Sequence, residues 1–172
     1  MHIVLITGIS GSGKSVALNV LEDTGYYCVD NLPPALLPSL VQTLLDEGTP
    51  QLAVAVDARS AESLVSLPHN VTLLRDQGHD VKVMFLTATT HSLVARFSET
   101  RRSHPLSHEL RPNHNPASRR TLIECISEER ERLSAIEQLG HVIDTSELSA
   151  NKLRAWIKDI VASERAPLTL FF

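Results

Sequence analysis

Short apolar runs alternate with segments of helical spacing along the whole chain. Residues 3–6 (IVLI), 51–56 (QLAVAV), 81–86 (VKVMFL) and, more briefly, 141–143 (HVI) are rich in aliphatic and β-branched side chains, and 26–29 (YYCV) form a fifth run. Continuous runs of this length suit strands buried on both faces. Between them, Val16, Ala17, Val20 and Leu21 mark a first helix closed by Gly25, and Leu36, Leu37, Leu40, Val41, Leu44 and Leu45 mark a second closed by Gly48, with Pro38 in its first turn. The segment 61–77 contains Pro68, which predicts two short helical pieces rather than one. Leu93, Val94 and Phe97 mark a further helix that stops before His104-Pro105, Leu122 to Ile136 a longer one, and Leu153, Trp156, Ile157 and Ile160 the last. Strictly alternating strands and helices predict βαβ units and a parallel sheet covered by helices on both faces.

Composition narrows the class without naming a chemistry. A chain of 172 residues, 42% apolar and 21% charged, fits one globular domain and excludes disorder, collagen and a disulfide scaffold. The formal charge of −4 exerts no general pull toward nucleic acid or an anionic membrane. Cys28 and Cys125 form no CxxC pair, so both are expected to be reduced and neither catalytic. The N-terminal apolar run is too short for a signal peptide, and no run approaches the roughly 18 residues of a membrane span. A cytoplasmic protein with no membrane partner is expected.

Residues 8–15 read GISGSGKS and match the phosphate-loop pattern GxxxxGK[ST] in full, using three of the chain's seven glycines. A polyphosphate is densely anionic, and a loop of small residues lets successive backbone N–H groups approach it without Cβ clashes. The candidate binding residues are therefore Gly8, Ile9, Ser10, Gly11, Ser12, Gly13, Lys14 and Ser15. Lys14 is placed to reach the β and γ phosphates as a point charge and Ser15 to ligate Mg²⁺, while the following helix presents its positive dipole end. A second acid is needed to hold or polarise the metal, usually at the end of a neighbouring strand. Asp57, which ends LAVAVD, is the candidate, with a helix N-cap as the alternative; Arg59 leaves the same strand edge. Asp30 is the rival acid, either accepting a substrate hydroxyl proton in phosphoryl transfer or serving turn chemistry within DNLPP.

Charge is concentrated between residues 96 and 120, where six arginines face Glu99 and Glu109, a local excess of +4. Arg101 and Arg102 leave the end of a helix there, a sensible source for a lid that closes on transferring phosphate; the alternatives are a solvated basic face or RNA contact. His104, His108 and His114 lie in the same stretch. Pro105 opposes a zinc site on one helical face, and loop polarity accounts for these histidines more simply.

The set GISGSGKS, GYYCVDNLP (25–33), VDARS (56–60), ETRRSHPLS (99–107), EERERL (128–133) and VIDTSELS (142–149) resembles the RapZ/YvcJ family of nucleotide-binding proteins and RNase adapters. The resemblance spans nearly the whole chain, and VDNLP and TRRxHPLS are far more specific than the phosphate loop. It implies an α/β fold of the P-loop NTPase/kinase-like kind, a three-layer α/β/α sandwich with a mainly parallel five-stranded sheet over residues 1–165. It further implies ATP at Gly8 to Ser15, GTP around Asp57, Ala58, Arg59 and Ser60, slow nucleotide hydrolysis, and a link to small-RNA control and amino-sugar metabolism. Family members are larger. RNA and RNase are thus expected to contact an absent C-terminal domain, and residues 166–172, ending LTLFF, to begin a linker or strand toward it. A homo-oligomer stays open. The rival reading is a small-metabolite kinase with Asp30 as base.

Overall fold

The computed structural model describes residues 1–56, 59, 61–108 and 121–165. Among these, five strands, β1 (His2–Gly8), β2 (Tyr27–Leu32), β3 (Gln51–Val56), β4 (Asp80–Thr87) and β5 (His141–Asp144), alternate with six helices, α1 (Lys14–Asp23), α2 (Leu37–Asp46), α3 (Ala61–Asp76), α4 (Thr90–Thr100), α5 (Leu122–Glu137) and α6 (Ala150–Arg165). Single 3₁₀ turns occupy Pro34–Leu36 and Pro105–His108. Every strand pairing is parallel, and the sheet runs β2-β3-β1-β4-β5. The first strand of the chain therefore lies in the middle of the sheet, with Leu5 opposite Val54 on one side and Val83 on the other.

Pleating divides β1 between two cores. Ile3 and Leu5 pack with the apolar stripes of α2, α3 and α5, including Leu37, Val41, Leu67, Val71, Ile126 and Leu133. Val4 and Ile6 pack on the other face with Ala17, Leu18 and Leu21 of α1 and Leu153 and Ile157 of α6. The result is the three-layer α/β/α arrangement that the alternation predicts, with the carboxyl ends of β1, β3 and β4 opening to one rim, where ligands bind in open sheets of this kind.

Two elements differ from expectation. Helix α3 is continuous through Pro68 rather than broken into two pieces. A proline inside a helix costs about 3 kcal/mol, whereas burying four large apolar side chains gains about 1.5–3 kcal/mol each. Leu64, Leu67, Val71 and Leu74, all at most 5% exposed, bind both halves of α3 to the sheet and outweigh the lost hydrogen bond. Strand β2 starts one residue later than the YYCV run and continues to Leu32, because Tyr26 turns into the α1 core while its amide caps α1 at Leu21 O. Its pairing with β3 slips between Val29 and Leu32, and there Asn31 adopts a left-handed φ of 53°. No helix among the described residues is long and apolar enough to cross a membrane.

Candidate functional site

The GISGSGKS loop leaves the end of β1 and runs into α1. Gly8 sits at φ 134°, and a Cβ there would lie 2.0 Å from the Leu86 carbonyl oxygen on β4; the Ile9 amide donates to that same oxygen at 3.0 Å. Only glycine permits this approach. Gly13, at φ 110°, is the residue preceding α1, and the helix has no side-chain N-cap and no acid in its first turn. Its leading N–H groups and positive dipole end are thus left for a ligand. By contrast α5 carries a full capping box between Thr121 and Glu124, and Thr89 caps α4. Lys14 folds back over the loop, its Nζ donating to Gly8 O at 2.8 Å.

Two side-chain clamps fix the loop from opposite sides. On the outside, Arg96 of α4 donates from Nη1 to Gly11 O at 3.0 Å and to Thr145 Oγ1 at 3.1 Å, and from Nη2 to Thr145 O; Thr145 Oγ1 donates to Ser12 O at 2.6 Å. Asp144 steadies this turn by accepting from the Ser146 amide and hydroxyl, which hold its carboxyl below the usual range. On the inside, Glu129 of α5, 1% exposed, accepts from the Ser10 amide at 2.9 Å and the Ser10 hydroxyl at 2.7 Å. His104, 2% exposed, completes the set, its Nε2 lying 3.0 Å from Glu129 Oε2. Burial alone would raise the Glu129 carboxyl. The His104 hydrogen bond, the Lys14 charge and the Ser10 donors outweigh it and hold the group below its ordinary 4.5.

A lowered carboxyl stabilises the fold above its unfolded value and ceases to do so as pH falls through the lower folded value. The melting temperature of the wild type is therefore expected to drop as pH falls below about 4.5, and Glu129→Gln, which cannot titrate there, to show a shallower drop in thermal melts recorded from about pH 6 to about pH 3. An equal slope in both proteins would exclude Glu129 as the source.

A cleft of about 680 Å³ opens over the loop. Ser10 to Ser15 form its floor, Asp30, Asn31 and Arg59 one wall, and Arg102, Ser103 and Pro105 another, with Leu148 and Leu153 adding apolar surface. The structure thus gathers Lys14, Ser15, Asp30, Arg59 and Arg102 around one space. Arg101 ends α4 in a left-handed conformation and is exposed, while its neighbour Arg102 lines the cleft. Asp57, Ala58 and Ser60 lie outside the described residues, as do the loop 109–118 and the terminal segment 166–172. Asp30 Oδ1 accepts from the Asn31 amide at 2.8 Å.

Sequence reasoning missed Arg96, Thr145 and Glu129, and misassigned His104. That histidine is not a polar loop residue; it is buried against a carboxylate, because Pro105 starts a 3₁₀ turn that directs the ring inward. The available signal for His104, Glu129 and Thr145 was their membership of the quoted ETRRSHPLS, EERERL and VIDTSELS segments; Arg96 lies in none of them. Cys28 is held protonated, burial and then Glu22 pushing its thiol up to about 11, as befits a structural cysteine.

The RapZ-like N-terminal domain family matches residues 1–165. The chain belongs to that family. It is 64% identical over its full length to the nucleotide-binding protein HEAR2885 of Herminiimonas arsenicoxydans, covering 60% of that protein. It is 53% identical to the nucleotide-binding protein Bxeno_A0336 of Paraburkholderia xenovorans, covering 58% of it. This RapZ-like domain therefore spans about 60% of the length of the curated relatives it matches. Among solved structures it resembles shikimate kinase from Bacteroides thetaiotaomicron, with a TM-score of 0.55 at 13% identity over 95% of this chain and 98% of that one. It likewise resembles the Deinococcus radiodurans tunicamycin resistance protein, with a TM-score of 0.56 at 18% identity over 92% and 94% of the two chains. At such identities the shared feature is the P-loop kinase-like fold. Family and fold together make this a RapZ-like N-terminal domain of the P-loop kinase-like fold.

Proposed function

We propose that this domain binds ATP or GTP with Mg²⁺ and hydrolyses it slowly, as the regulatory module of a cytoplasmic RNase-adapter-type protein that acts in small-RNA control of amino-sugar metabolism. The observation that carries the reading is the uncapped start of α1 beneath a glycine loop whose lysine side chain already spans it. Phosphates lie on the Gly8 to Ser15 backbone, Lys14 neutralises them, and Arg102 closes over them from the cleft wall. RNA and RNase are contacted by the part of the longer relatives that this chain does not cover.

The donor set fits Mg²⁺. This ion keeps several waters and takes one or two protein oxygens beside the substrate phosphates, so it needs no all-protein cage. Among the described residues no three His, Cys, Asp or Glu side chains gather into one. Ser15, exposed on the cleft floor beside Lys14, supplies a hydroxyl, and Asp57 the acid. The metal neutralises charge between the phosphates; the chain's own part is to hold the polyphosphate and exclude water.

A kinase reading draws on Asp30, which shares the cleft with Lys14. Against it, Asp30 is exposed and spends Oδ1 on its own neighbour's amide, the arrangement of local turn chemistry. Titration with Mg²⁺-ATP and Mg²⁺-GTP, combined with a phosphate-release assay in the presence and absence of amino sugars and other hydroxylated acceptors, separates the two. Submillimolar binding with turnover that no acceptor stimulates is expected. Acceptor-dependent ATP consumption with a phosphorylated product would establish the kinase instead, and binding of neither triphosphate would end both readings.

A further inference from the structure

The inner clamp joins three parts of the chain that are distant in sequence. Ser10 belongs to the phosphate loop, His104 to the segment that follows α4, and Glu129 to α5, 119 and 25 residues from its two partners. All three meet at one buried carboxylate. Such a charge is tolerated only where its lone pairs are satisfied, and here three donors serve it. His104 shows why the donors are directional. Its Nδ1 accepts from the Leu106 amide at 3.1 Å, so the ring carries its proton on Nε2 and donates it to Glu129. Turning the ring away would break the bond from the Leu106 amide and take one of three donors from the carboxylate, so the backbone between His104 and Leu106 is held by the same ring that serves Glu129.

A second contact runs in parallel. The Phe97 ring lies 5.4 Å from the His104 ring, centroid to centroid, and a Cβ on Gly11 would come within 3.2 Å of that phenyl edge. Arg102, Ser103 and Pro105, which flank His104, line the cleft, whereas Glu129 is buried beneath it. The segment that carries Arg102 is thus attached to the phosphate loop, not merely adjacent to it.

We propose that Glu129 is a positioning residue that couples phosphate occupancy of the GISGSGKS loop to the placement of Arg102, acting through Ser10 on one side and His104 on the other. The proposal rests on the nucleotide reading. A ligand that seats the loop in one arrangement must, by linkage, favour one arrangement of residues 102–107, and the reverse holds equally. Electrostatics alone predicts the opposite sign for removal of the charge: the Glu129 anion stands close enough to Lys14 to act on it, so it opposes an incoming polyphosphate. A purely electrostatic Glu129 would, when neutralised, tighten binding; a positioning Glu129 would weaken it.

Glu129→Gln keeps the shape but removes the charge: its carbonyl can still accept from the Ser10 amide and His104 while its NH2 donates to the Ser10 hydroxyl, so three charge-assisted bonds become neutral ones of about half the strength. On the 172-residue chain, we expect Mg²⁺-ATP affinity to fall on the order of tenfold, within the usual span of coupling between sites. Hydrogen exchange provides the readout that a merely structural role would not move. ATP slows amide exchange in both the loop and residues 102–107 of the wild type, and in Glu129→Gln the slowing persists in the loop and is lost in 102–107. Unchanged or tighter binding, with the slowing across 102–107 intact, overturns the proposal. If the variant does not fold, Ser10→Ala and His104→Gln carry the test, both retaining the carboxylate. Ser10→Ala should reduce the ATP effect at 102–107, and His104→Gln, whose amide still donates to Glu129, should keep it; the reverse pattern, or no effect of Ser10→Ala, overturns the coupling. A wild type that binds neither ATP nor GTP overturns the nucleotide reading and the coupling with it, whereas a wild type that binds and is matched by Glu129→Gln overturns the coupling alone.

Discussion

Replacing Gly8 by alanine is expected to lower the stability of the whole domain, not just the affinity of its site. The new methyl group would lie 2.0 Å from Leu86 O and 2.7 Å from Leu86 N, both backbone atoms of the adjacent central strand, and no side chain can swing aside to admit it. The residue would also have to keep φ at 134°, a region L side chains rarely adopt. Strain and overpacking of this kind each cost roughly 1–3 kcal/mol, which together is on the order of 3 kcal/mol or more. Against a total stability of about 5–15 kcal/mol this is a large share. At about 2–4 °C per kcal/mol for a chain of this size, the melting temperature should fall by roughly 6–12 °C. Differential scanning calorimetry of the two proteins checks it, and a fall under about 2 °C would show that β1 and β4 separate more readily than their pairing indicates. Gly13→Ala is the instructive contrast. There the obstacle is Leu153 Cδ2 at 2.6 Å, a side-chain end that can move, so the φ of 110° supplies most of the penalty.

Lys14→Ala should behave in the opposite way, leaving the melting temperature nearly unchanged while removing most of the affinity for Mg²⁺-ATP. In the free protein its ammonium donates to Gly8 O, a backbone contact at the rim of the sheet and not part of the apolar core. Charge-assisted hydrogen bonds to phosphate oxygens contribute about 1.5–3 kcal/mol each, and losing the cation that makes them should weaken binding by roughly 3 kcal/mol, on the order of a hundredfold. Calorimetric titration measures this directly. The fold should tolerate the change because Glu129, although it feels the Lys14 charge, is held more strongly by its hydrogen bond with His104. Retention of wild-type affinity in Lys14→Ala would mean that the loop does not hold the phosphates.

The contrast between these two residues also shows what the sequence could and could not convey. GISGSGKS between an apolar run and an amphipathic segment announces the loop, its lysine and its helix, because each depends on residues adjacent in the chain. The alternating periods likewise announce the layered α/β architecture. Strand order is less accessible: nothing in IVLI says that β1 will lie between β3 and β4. Pro68 was misleading because a local rule about helix breaking met four buried leucine and valine side chains whose packing is a long-range fact. Glu129 was invisible for a similar reason. Within EERERL it is one of three glutamates and looks like any solvated helix position, and only the approach of Ser10, 119 residues away, turns it into a buried acceptor. His104 was read as polar because its neighbours are polar, although its partner lies on another helix.

The clamps and close contacts around the phosphate loop come from places spread along the chain: Leu86 on β4, Arg96 on α4, Glu129 on α5, Thr145 after β5 and Leu153 on α6. The loop itself occupies residues 8–15, and every one of these contacts comes from a segment that follows it in the sequence. Leu153, the furthest of them along the chain, approaches Gly13 across most of the domain's sequence. A fragment holding the GISGSGKS motif without α4, α5 and α6 would thus carry the recognition pattern but lack the contacts that shape it.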